Sequence, residues 1–83
     1  MKNWVDYSFV VRSGNRRRVF LSLLKPRTPT EISKEVGLNL GYISNLIVSL
    51  LGRGLVECLN PGEKRHRLYR RTKKGEELVK EIC

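Results

Sequence analysis

The residues of this chain best equipped for chemistry are its cations. Between Pro61 and Lys74 stand seven basic residues (Lys64, Arg65, Arg67, Arg70, Arg71, Lys73 and Lys74) and one acid, Glu63, a local charge of +6 within a formal net charge of +9. Clustered guanidinium groups match phosphate oxygens with paired, charge-assisted hydrogen bonds, and cations that neutralise phosphates release counterions from nucleic acid. A second set, Tyr42, Ser44 and Asn45, supplies hydroxyls and an amide within one expected helix. An amide there can pair with adenine, and hydroxyls suit phosphates or a thymine methyl. The plainer alternatives are a solvated helix face for this trio and a charged guard on a strand edge for the basic run, although a lysine or two would suffice for guarding.

Other reactive side chains form no constellation. His66 is the single histidine, without Asp, Glu or Cys partners at ligand spacing, and is read as a strand residue or a phosphate neighbour. Glu76 and Glu77 lie three or four residues from Lys73 and Lys80 on an expected helix, where ion pairing accounts for them. Cys58 and Cys83 show no zinc or redox spacing and are read as reduced thiols. No catalytic residue, metal site, cofactor or small-molecule ligand is therefore expected.

At 83 residues with 40% hydrophobic content, the chain is expected to be one globular domain, 1–83, with a small core that buries about 60% of the unfolded surface. A pI near 10.2 points to a polyanionic partner, nucleic acid before anionic membrane. The opening MKNWVDYSFVVRSG is broken by Asp6, Ser8 and Arg12, so it has no signal-peptide core, and nothing spans a bilayer. A soluble, cytoplasmic protein is expected.

Elements must position these residues. From Asn3 to Val11 the apolar positions fit neither helical nor strand period cleanly, and a short helix is taken. Ser13 offers an N-cap, Gly14 and Asn15 open a turn, and Val19, Phe20, Leu23 and Leu24 mark an amphipathic helix that stops before Pro26. Thr28, Pro29 and Glu31 are an N-cap, a first-position proline and a capping-box partner. That helix carries Ile32 and Val36 inward and ends at Gly37. Asn39 caps the next, about 39–53, with Ile43, Ile47 and Leu50 inward and Leu40, Leu46, Val48 and Leu51 as an apolar excess expected to find extra packing. Two helices across a short glycine-containing turn are a helix-turn-helix signature. Leu55–Asn60 and Arg65–Arg70 read as strands about a Pro61–Lys64 turn. Thr72 caps a last helix bearing Leu78, Val79 and Ile82, which can pack on the first segment.

These marks (R-R-R-V-F-L-S-L-L, T-P-T-E-I-S-K-E-V-G-L, G-Y-I-S-N-L, G-L-V-E and R-L-Y-R-R-T-K-K-G) resemble the winged helix-turn-helix transcription regulators of the MarR and ArsR kind, especially their small archaeal members, over about 70 residues from Ser13. The resemblance implies an α+β, mainly helical fold with a two-stranded hairpin wing and a C-terminal helix. Its recognition helix maps onto Gly41, Tyr42, Ile43, Ser44 and Asn45, with Ile43 in the core. Two departures stand out. Asn45 occupies a position where Arg is frequent, and Arg71 a position usually apolar before Thr-x-x-Gly, which adds basicity.

The expectation is a sequence-specific regulator of double-stranded DNA. The helix at 39–53 would enter the major groove, and wing residues 61–67 would lie on the backbone or in the minor groove. Expected contact residues are Thr30, Asn39, Gly41, Tyr42, Ser44, Asn45, Lys64, Arg65, Arg67 and, from the Arg16–Arg18 triplet, Arg17, since three consecutive helical residues cannot share one face. A homodimer is expected, through Trp4, Tyr7, Phe9 and Val10 at one end and Leu78, Val79 and Ile82 at the other. The alternative is a winged helix that binds protein through the apolar excess of the 39–53 helix. RNA is a weaker third, because exposed aromatic platforms are missing from the pattern.

Overall fold

The computed structural model describes residues 4–82, in the order α1 (Trp4–Val11), α2 (Gly14–Ser22), α3 (Pro29–Val36), α4 (Leu40–Gly52), β1 (Val56–Cys58), β2 (Tyr69–Arg71) and α5 (Lys73–Ile82). Asn3, taken as the start of the first helix, and Cys83 lie outside the described residues.

Side-chain caps start four of the helices. Ser13 accepts from the Arg16 amide at 3.2 Å, so Gly14 and Asn15 form the first turn of α2 rather than a turn before it. Thr28 and Glu31 close the capping box from both sides: the Glu31 amide donates to Thr28 Oγ1 at 3.2 Å and the Thr28 amide to Glu31 Oε1 at 2.9 Å. Those bonds, backbone first, hold the Glu31 carboxyl below its ordinary value. Gly37 ends α3 at φ 76°, in the left-handed region that a side chain strains. Asn39 then caps α4, accepting from the Tyr42 amide at 2.8 Å.

The core is one cluster, with Val19, Phe20, Ile32, Ile43, Leu50 and Leu55 fully enclosed. The α3–α4 pair packs on α2, and α1 packs on both α2 and α5, which brings Val10 and Leu78 into the core. Of the apolar excess on α4, Leu46 is buried and Leu51 packs on the core, but Leu40 and Val48 stay exposed at 47% and 63%. The extra packing expected of those two is absent.

β1 and β2 pair antiparallel, Val56 opposite Arg71 and Cys58 opposite Tyr69. The loop before α3 adds one more rung, with Arg27 and Tyr69 exchanging backbone hydrogen bonds at 3.0 and 2.9 Å. The Thr-x-x-Gly turn into α5 has a specific cause. Thr72 Oγ1 donates to Gly54 O at 2.7 Å and accepts from the Gly75 amide at 3.1 Å. Gly75 lies so close that a Cβ on it would stand 2.2 Å from Leu55 O. No single helix among the described residues is long and apolar enough to cross a membrane.

Candidate nucleic-acid interface

The wing departs from the expected hairpin. β2 begins at Tyr69, so Arg65–Leu68, read as strand, belong to the connection between the strands. The last strand-like bond is Leu59 N–H to Leu68 O at 2.8 Å. Beyond it the Asn60 side chain captures the Leu68 amide at 2.7 Å, and His66 turns the chain at φ 55°. A residue in that region cannot continue an extended strand, so of the strand expected from Arg65 to Arg70 only Tyr69 and Arg70 join the ladder.

This connection closes over the start of the helix-turn-helix to form an open cleft of about 480 Å³. Thr30 of α3 and Leu40 and Ser44 of α4 line one side, and Lys64, Arg65 and Arg67 the other. The structure thus brings five expected contact residues together: Thr30, Ser44, Lys64, Arg65 and Arg67. All five are exposed.

The remaining expected residues do not line that cleft. Gly41 and Asn45 are exposed on α4. Tyr42, 39% exposed, turns towards α2, where its hydroxyl accepts from Asn15 Nδ2 at 3.4 Å. Asn39 is exposed, but its side-chain oxygen is committed to the α4 cap. Arg17 lies apart on α2, exposed. Its neighbours are engaged within the protein: Arg16 donates to Phe9 O at 2.6 Å and stacks 3.9 Å from the Phe9 ring, and Arg18 donates to Val36 O.

Internal partners also redraw the basic surface. Arg71, taken as added basicity, is buried, with its side chain 4% exposed, its Nε donating to Glu76 at 2.9 Å and its guanidinium over Phe20. A position that is usually apolar is filled here by a cation whose stem and head pack inward. Arg70 pairs with Glu57 at 3.3 Å, and Lys74 reaches Asp6 at 3.0 Å and the Arg53 carbonyl at 3.0 Å. Lys64, Arg65 and Arg67 carry no ion pair among the described residues. Arg67 instead donates its Nε to Glu63 O at 2.6 Å, which leaves its terminal nitrogens outward.

Sequence reasoning missed Leu40, which lines the cleft, and Asn60, which organises the wing; His66, read as a strand residue or a phosphate neighbour, lines the cleft from the loop and not from a strand. Only Asn60 carried a signal, because Asn before Pro-Gly is turn chemistry in which the amide bonds nearby backbone. Among the described residues, no group of three His, Cys, Asp or Glu side chains is placed to hold a metal ion.

A family model described as winged helix-turn-helix matches residues 19–83. No curated protein matches the chain. Among solved structures, wild-type apo MarR from E. coli is similar over 92% of this chain and 59% of its own, at 26% identity and a TM-score of 0.75. A mutant MarR from E. coli complexed with operator DNA is similar at 27% identity and a TM-score of 0.76, over 90% of this chain and 56% of that one. A MarR family regulator from Neisseria meningitidis is similar at 25% identity and a TM-score of 0.76, over 94% of this chain and 59% of its own. The chain thus spans about 59% of the first of these proteins.

Proposed function

Because this chain belongs to the winged helix-turn-helix family, we propose that it is a transcription regulator that binds double-stranded DNA with sequence specificity. In this reading α4 enters the major groove with Ser44 and Asn45 towards base edges, and Lys64, Arg65 and Arg67 follow the phosphate backbone or reach the minor groove. Thr30, Asn39, Gly41, Tyr42 and Arg17 flank the track as phosphate or close-approach contacts. One observation carries the reading: the cleft joins the polar face of α4 to wing cations that carry no ion pair among the described residues. The operator-bound MarR supports it by likeness. Catalysis is not part of the proposal, and cytoplasmic residence follows from the DNA target.

The regulator is proposed to act as a homodimer. Val10 and Leu78, two residues expected at the dimer surface, are core residues, so that surface contracts to the outer edge of α1, where Trp4 and Val5 are 65% and 63% exposed, and to Val79 and Ile82. Selection from a random duplex library tests both halves of the proposal. A pseudo-palindrome with half-sites about 34–36 Å apart is expected. An enriched single half-site would remove the dimer, and no enrichment would remove sequence specificity.

Exposed Leu40 and Val48 on α4 favour a second reading, a module that binds protein through this helix. It predicts no duplex binding even at low salt.

A further inference from the structure

The wing between β1 and β2 is held by one side chain. Asn60 Oδ1 accepts from the Leu68 amide at 2.7 Å and from the Cys58 thiol at 3.6 Å, while its Nδ2 donates to His66 O at 3.2 Å. The Asn60 carbonyl also accepts from the Glu63 amide at 3.0 Å, and Arg67 Nε donates onward to Glu63 O at 2.6 Å. Asn60 therefore ties together both ends of the loop and its left-handed residue, His66 at φ 55°. Histidine is among the residues tolerated there, but the conformation has a cost and persists where surrounding bonds over-determine it. Those bonds come from a residue that is half-buried and outside the hydrophobic cluster.

We propose that Asn60 is a positioning residue for DNA binding, which holds the wing in the shape that presents Lys64, Arg65 and Arg67 to the duplex before it arrives. This rests on the DNA-binding reading above. A loop of long cationic side chains loses freedom when it docks, and a loop already fixed loses less, so pre-ordering raises affinity without adding a contact. Asn60 touches no phosphate in this account. Its loss weakens binding but leaves the number of ions released unchanged, because the same cations finally reach the same phosphates.

Fluorescence anisotropy of the full chain on a random-sequence duplex, across a salt series, separates the two kinds of residue. Asn60→Ala is expected to bind about five- to tenfold more weakly with the salt slope of the unaltered protein. Arg65→Ala is expected to lower that slope by about one. Backbone hydrogen exchange in the free, unaltered protein is a second measurement that needs no variant, and there the Leu68 amide is expected to be protected. In free Asn60→Ala that protection should vanish. An unprotected Leu68 amide in the free unaltered protein, equal affinity of Asn60→Ala, or a reduced slope for it would each overturn the proposal. If the unaltered protein bound no duplex, the DNA reading would fail. Duplex binding with any of those three results would defeat only the role of Asn60.

Discussion

Seven basic residues close in sequence do not share one role: Arg70 and Lys74, both exposed, pair with Glu57 and Asp6, and only Arg71 is buried. Arg71 is enclosed against Phe20 and paired with Glu76, whereas Lys64, Arg65 and Arg67 face solvent beside α4. The partner of Arg71, Glu76, is 56% exposed, and an ion pair open to solvent on one side contributes little beyond an apolar side chain of similar size. Arg71→Met is therefore expected to keep the salt slope of duplex binding, in contrast to Arg65→Ala. A slope reduced equally in both variants would place Arg71 on the DNA instead. Gly75 makes the opposite kind of demand. With Leu55 O only 2.2 Å from where a Cβ would be built, Gly75→Ala must push α5 away from the start of the sheet. We expect a loss of about 1–3 kcal/mol or more in urea denaturation, and an unchanged midpoint would contradict the close approach. Neither result could be read from the chain alone: the partner of Arg71 lies on another element, and the neighbour of Gly75 is a backbone carbonyl twenty residues earlier.

The helices were legible because their boundary signals are local. Ser13, Thr28 with Glu31, and Asn39 all cap as their residue types and spacing imply. The wing was not, because its course depends on the Asn60 side chain reaching across the loop to Leu68, which leaves Arg65–Leu68 outside the strand read from Arg65 to Arg70. For the candidate site the balance is similar. Residue types on α4 marked its outward face, but only the fold separates Arg17, exposed, from Arg16 and Arg18, which are engaged in capping backbone carbonyls. The α3 capping box carries a pH prediction. Bonds from Thr28 hold the Glu31 carboxyl below its ordinary value of 4.5. The folded state therefore gains from the ionised form, a gain present above about pH 4.5 and lost as pH falls through the lower folded value. Glu31→Gln should flatten the acid side of the stability profile while leaving neutral-pH binding in place. Parallel acid limbs for the two proteins would show that the box contributes nothing through charge.

At the scale of the molecule, α4 and the wing share one face, and α1 closes another, onto α5 through Asp6 and Lys74 and onto α2 and the end of α4 through Phe9, whose ring lies 3.9 and 4.4 Å from the Arg16 and Arg53 guanidinium groups. Sedimentation at high micromolar concentration should show a dimer; a monomer there would confine the chain to single half-sites. The central claim is that wing cations and α4 hold duplex DNA, and it is tested most directly by anisotropy titration of the unaltered protein against duplex and single-stranded oligonucleotides over a salt series. The account predicts preference for duplex, with affinity falling steeply as salt rises and the slope reduced by about two in an Arg65→Ala, Arg67→Ala double variant. Absence of duplex binding at low salt, or a slope indifferent to both arginines, would contradict it.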